Sequence, residues 1–74
     1  MGLRKRSFSI AGHRTSVALE TEFWALLEAE AREESLSLAA LVGQVDSGRG
    51  SRNLASALRL HVLTGALEKT GRKS

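Results

Sequence analysis

The sequence predicts a mainly α fold with one short β-strand, and three observations predict it. Residues 14–19 alternate between apolar and small polar side chains. Two stretches, 23–31 and 38–45, repeat apolar residues at three-and-four spacing. A further stretch from 54 to 67 is apolar over more than half of a helical circumference. The expected order is therefore a strand followed by three helices, the last of them C-terminal.

The strand is read in Gly12 to Glu20, where Thr15, Val17 and Leu19 share one face and Arg14, Ser16 and Ala18 the other. One face is oily, and the other is small and polar with one guanidinium. A register shifted by one residue would turn Thr15 outward and Ser16 into the core. A lone strand of this length does not persist in water. No second strand is evident in the chain, so the pairing partner is expected from a second copy.

Upstream, residues 1–7 read as a flexible basic arm carrying Arg4, Lys5 and Arg6. Phe8 and Ile10 alternate too, but at even positions, out of phase with the odd-numbered apolar residues of the strand. One unbroken strand cannot bury both sets. Ala11-Gly12 is the expected break, a bulge or turn that resets the parity, with Phe8 and Ile10 folding against the helices or extending the ribbon.

The first helix opens at Glu20 or Thr21, and Phe23, Leu27 and Ala31 are expected in the core. Trp24 lies about 100° round from Phe23 and is expected against the N-terminal arm or the third helix. Ser37 caps a second helix with Leu38, Leu41, Val42 and Val45 on one face; Gly43 in its middle suggests a close backbone approach, as to a second copy. Residues 46–52 form a loop around Arg49, and Asn53 caps the third helix. That helix, with Leu54, Leu58, Leu60, Val62, Leu63 and Leu67, is apolar enough to need burial on two sides. The boundaries expected are an arm at 1–7, a domain at 8–68 and a basic tail at 69–74.

The bulk properties fit one small domain. Seventy-four residues bury about 60% of their unfolded surface, which leaves a monomer marginal and favours a shared core. Without cysteine there is neither a disulfide nor a thiolate metal site. No apolar run approaches the roughly 20 residues of a membrane span, so a soluble, cytoplasmic protein is expected. The net charge of +3 is unevenly spread: Arg4, Lys5, Arg6 and Arg14 occupy the first 19 residues without an acid, while six acids against Arg32 fill residues 20–34. Bases return from Arg49 onward. Two basic ends around an acidic middle suit a polyanion on one side of the molecule. His13 and His61 have no second ligand at metal-binding spacing, and no nucleophile motif is present. No enzyme, metal or cofactor is expected.

A strand with Gly12-His13-Arg14-Thr15-Ser16, a Phe23-Trp24 pair in the first helix, Ser37-Leu38-Ala39-Ala40-Leu41 opening the second and Asn53-Leu54-Ala55-Ser56-Ala57-Leu58-Arg59 in the third carry a family likeness. Over residues 4–68 the chain resembles the ribbon-helix-helix family of Arc/MetJ-like DNA-binding proteins, in a bacterial subgroup with an extra C-terminal helix. The resemblance implies an intertwined homodimer whose strands pair antiparallel across a two-fold axis. This intersubunit ribbon would enter the major groove of double-stranded DNA, with Arg14, Ser16 and Ala18 reading bases. It implies a DNA phosphate at the start of the second helix, on Ser37 and the amides of Leu38 and Ala39. Arg4, Lys5, Arg6 and His13 would add backbone contacts.

The function so implied is a dimeric transcriptional regulator, a repressor by occlusion. Two rivals stand beside it. One is an antitoxin whose C-terminus also grips a toxin. The other is a protein-interaction module that uses Trp24 and the third helix and binds no nucleic acid.

Overall fold

A computed structural model describes residues 2–72, with the side chains at 67 and 69–72 excepted. The chain runs as β1 (Leu3–Ile10), β2 (His13–Glu20), α1 (Thr21–Glu33), α2 (Leu38–Ser47) and α3 (Leu54–Arg72).

There are two strands where one was expected. β1 pairs antiparallel with β2, from Ile10 opposite His13 to Leu3 opposite Glu20, so the partner of the strand lies in the same chain. The arm expected at 1–7 is largely strand from Leu3 onward, and the two-stranded ribbon expected between subunits is formed within one. The physical reason is the turn. Ala11 and Gly12 sit at φ 53° and 82°, and positive φ at both central residues is what a two-residue type I′ hairpin requires. Such a turn opposes every even residue of β1 to an odd residue of β2. The parity switch seen in the sequence is therefore the signature of a hairpin, which puts Phe8 and Ile10 on the same face as Thr15, Val17 and Leu19.

That face meets the helices. Val17 and Leu19 are buried, while Thr15 is half-buried and Ser16 exposed, so the alternative register does not occur. α1 buries Trp24, Leu27 and Ala31. Trp24 rather than Phe23 takes the inner position; Phe23 is half-buried at the edge, where the Arg59 guanidinium lies 5.9 Å from its ring centre. Rotation of the helix toward Trp24 follows from β1, which supplies a wall the indole can fill. Its ring packs 5.9 Å from that of Phe8, and its Nε1–H donates to the carbonyl of Arg4 at 2.8 Å.

α1 ends in a Schellman closure: the amide of Leu36 donates to the carbonyl of Ala31 and that of Ser35 to Arg32, with Ser35 at φ 58°. α2 starts on Ser37, whose Oγ accepts from the amide of Ala40 at 3.0 Å, and buries Leu41 and Val42. A Cβ on Gly43 would stand 3.9 Å from Cγ2 of Ile10, an ordinary contact, so β1 and not a tight backbone crossing is its neighbour within the chain. Asn53 Oδ1 caps α3 by accepting from Ser56 at 2.8 Å. α3 buries Leu54, Ala57, Leu58 and Val62, but on one side: Leu60 and Leu63 are 42% and 49% exposed. The helix continues through Arg72, where a basic tail from 69 was expected; Met1, Lys73 and Ser74 lie outside the described residues.

Candidate nucleic-acid interface

The alternation of the hairpin leaves its second face to solvent. On it stand Lys5, Ser7 and Ser9 from β1, directly opposite Ala18, Ser16 and Arg14 from β2. Ser7 and Ser16 meet at the centre, their Oγ atoms 2.9 Å apart. Arg14 is exposed, and no carboxylate pairs with it among the described residues. Ala18 is half-buried and Lys5 exposed. Apart from the Leu3–Glu20 pair at its far end, the face thus has two cations without an acid partner among the described residues, three hydroxyls and a methyl. Those groups can donate to purine acceptors, exchange hydrogen bonds with base edges and contact a thymine methyl.

Three other arginines, Arg6, Arg49 and Arg59, behave differently. Arg6 faces inward: its guanidinium carbon lies 5.3 Å from the Trp24 ring centre, and Nη1 donates to Oε2 of Glu28 at 2.7 Å. That hydrogen bond holds the Glu28 carboxyl below its ordinary value, outweighing the opposing effect of desolvation. Arg59 of α3 donates through Nε and Nη2 to the two oxygens of Glu20, at 3.1 and 3.2 Å. The fork lowers the Glu20 carboxyl in the same way and occupies the acid that ends β2. Arg49 is held by Asp46 at 2.7 Å. Arg14 is thus set apart from Arg6, Arg49 and Arg59 by having no carboxylate to satisfy it among the described residues.

The remaining expected contacts lie off this face, Arg4 and His13 being on the helix-facing side of the hairpin at its two ends. His13 is exposed beside the turn, opposite Ile10. Arg4 offers an exposed side chain while its carbonyl is bound to Trp24. At the start of α2 the Ser37 hydroxyl is engaged by Ala40, whereas the amides of Leu38 and Ala39 have no acceptor among the described residues. There is no acid in that first turn. Such a terminus is open to an anion.

Sequence reasoning missed Ser7 and Ser9, because it placed no second strand; the parity switch around Ala11-Gly12 was the signal that could have found them. His61 lies in α3 with its Nε2 2.8 Å from Oε2 of Glu30, a tie between helices and not a ligand set. Among the described residues no three His, Asp or Glu side chains converge as a metal site would need, and no helix is long and apolar enough to cross a membrane.

Comparison with curated proteins and with solved structures returns no match. The family model described as "Ribbon-helix-helix domain" matches residues 3–66, from the first residue of β1 to well into α3. With most of its length matched in this way, the chain belongs to the ribbon-helix-helix domain family.

Proposed function

We propose that the protein is a sequence-specific DNA-binding transcriptional regulator that acts as a homodimer and represses by occluding its operator. The observation that carries the reading is the exposed Arg14, without a carboxylate partner among the described residues, on a ribbon face where its nearest neighbours Ser7, Ser9, Ser16 and Ala18 are small. A β-ribbon fits the major groove, and an Arg there makes the commonest specific contact, bidentate to guanine. Ser16 and Ala18 continue that line toward neighbouring bases. Arg4, His13 and the start of α2 supply backbone contacts, with Ser37 orienting the Leu38 and Ala39 amides. Arg6, bound to Glu28, steadies the ribbon from behind instead of reaching a phosphate.

The homodimer draws its support from a different place. Leu60 and Leu63 stand on the outward side of α3, and Leu26 of α1 is 54% exposed, an apolar surface that a chain this small gains by covering. Membership of a family of DNA-binding regulators agrees with both parts of the reading.

The test is selection of binding sites from random duplex DNA by the wild-type protein and by Arg14→Ala, at about 0.15 M salt. Enrichment of a defined motif by the wild type, relaxed at one position by the mutant, is the expected result. Equal weakening on every sequence would reduce Arg14 to a phosphate contact. Sedimentation at micromolar concentration checks the dimer, and a monomer carrying full sequence selectivity would remove it.

A further inference from the structure

We infer that the groove between α1 and α3 is a docking surface for a basic amphipathic helix of another protein. None of the residues that line it belongs to the ribbon, and the inference stands independently of the DNA-binding reading.

The groove is a cavity of about 520 Å³ whose apolar lining comes from Leu26 and Ala29 of α1 and from Val62, Gly65 and Ala66 of α3. Leu26 keeps 54% of its surface exposed there. From Leu26 to Glu33 the α1 wall runs for two turns, about 10 Å at a rise of about 1.5 Å per residue. Apolar side chains one turn apart on a third helix fit such a groove.

Gly65 points to the same occupant. It lies inside α3, where glycine weakens a helix relative to alanine. Crowding does not explain it, because a Cβ on Gly65 would meet no atom within 4 Å. Space kept open at the expense of helix propensity suits the close approach of a segment from outside the chain.

Charge identifies that segment as basic. Glu33 and Glu34 stand at the α1 end of the groove and Glu68 on the α3 wall. Glu30 is tied to His61 at 2.8 Å, whereas Glu34 and Glu68 are exposed and have no side-chain partner among the described residues. Glu34 also lies four residues beyond Glu30 and at the negative end of the α1 dipole, two unfavourable placements that a cation from outside relieves. Arg32, the base of that last turn, does not line the groove. Lysines or arginines flanking an apolar stripe would reach Glu34 on one wall and Glu68 on the other. A second copy is a poor occupant, since a two-fold interface sets the same patch against itself and would bring acids to acids. Leu60 and Leu63, which the proposed dimer covers, do not line the groove; Leu26 is the residue the two surfaces share.

The experiment titrates the full chain, labelled with ¹⁵N, with a synthetic amphipathic helix of about 14 residues carrying Leu on one face and Lys on its flanks. Two control peptides replace Lys by Glu or Leu by Ala. The Lys/Leu peptide is expected to shift the amides of Ala29, Glu34, Val62 and Gly65, and neither control should bind. Glu34→Lys with Glu68→Lys should weaken binding about tenfold or more, while Glu22→Lys, an acid on α1 outside the groove, should change it by about twofold at most. Gly65→Leu, which has room for its side chain and gains helix propensity, should plug the groove and abolish binding while circular dichroism shows a folded protein. Equal binding of the Lys/Ala peptide, or equal weakening by Glu22→Lys, would reduce the groove to one part of a diffuse acidic surface and overturn the inference. So would a folded Gly65→Leu protein that binds as the wild type does, or a Lys/Leu peptide that does not bind at millimolar concentration. Groove amides that shift on dilution of the protein alone would give the groove to a second copy and overturn it as well.

Discussion

The indole nitrogen of Trp24 donates to the backbone carbonyl of Arg4 at 2.8 Å, a bond between the first helix and the outer strand that fixes where the ribbon sits. The same ring lies against Phe8 and under the Arg6 guanidinium. Replacing it with Phe leaves the carbonyl without its donor and should cost about 1–3 kcal/mol. Trp24→Ala, which also opens a cavity, should cost about 3–5 kcal/mol. Urea unfolding followed by circular dichroism measures both, and a Phe variant as stable as the wild type would show that the carbonyl finds water instead.

Ala11 and Ser35 both occupy left-handed backbone, one in the hairpin turn and one closing α1. A side chain there costs about 1–2 kcal/mol that glycine avoids, less the extra freedom glycine gains when unfolded. Ala11→Gly and Ser35→Gly should each stabilise by roughly 0.5–1 kcal/mol, seen as a rise in Tm of several degrees. A lower Tm for Ala11→Gly would mean that the turn is not held as described.

Gly43 sits in the middle of α2 with room for a methyl, since a Cβ would meet Cγ2 of Ile10 at 3.9 Å. Gly43→Ala should raise stability by up to about 1 kcal/mol through helix propensity. A fall instead, accompanied by weaker self-association in sedimentation, would locate the surface of a second chain against this glycine.

Glu20 and Glu28 carry carboxyls lowered from 4.5 by hydrogen bonds from Arg59 and Arg6. For a group lowered on folding, the stabilising contribution is complete above the ordinary carboxyl range and disappears as pH falls through the lowered value. Wild-type Tm should therefore drop on acidification below about pH 4.5, and a Glu20→Gln, Glu28→Gln variant should show a shallower drop. Both carboxylates are solvent-accessible, so the effect is screened by salt. Parallel curves for the two proteins would assign the acid sensitivity elsewhere.

The helices were legible because each announces itself locally. Ser37 and Asn53 cap where capping residues should, and Leu41, Val42, Leu54 and Leu58 recur at the spacing that buries them. The outward set Arg14, Ser16 and Ala18 was legible from alternation alone. β1 was not, because its strand carries Arg4, Lys5 and Arg6, a composition that reads as a solvated arm until Trp24 and Glu28 are seen to hold it. The packing of Trp24 on the N-terminal segment was legible, as its contacts with Arg4 and Phe8 show; that it, and not Phe23, takes the inner position follows from that segment being a strand. The fork between Arg59 and Glu20 joins residues far apart in sequence, and no local pattern could have announced it.

The turn at Ala11-Gly12 has a consequence for the order in which the molecule assembles. Every pairing in the ribbon lies within residues 3–20, so the hairpin forms by local search on a timescale of about 1–10 μs, before slower long-range docking. As these strands need no residue beyond 20 to pair, the ribbon can begin to zip and unzip before the helices dock. A two-stranded hairpin alone is marginal in water, so it gains permanence when α1 brings Trp24 and Leu27 against it. Maturation of the putting-together step is thus the capture of a fluctuating local structure by the first helix to follow it.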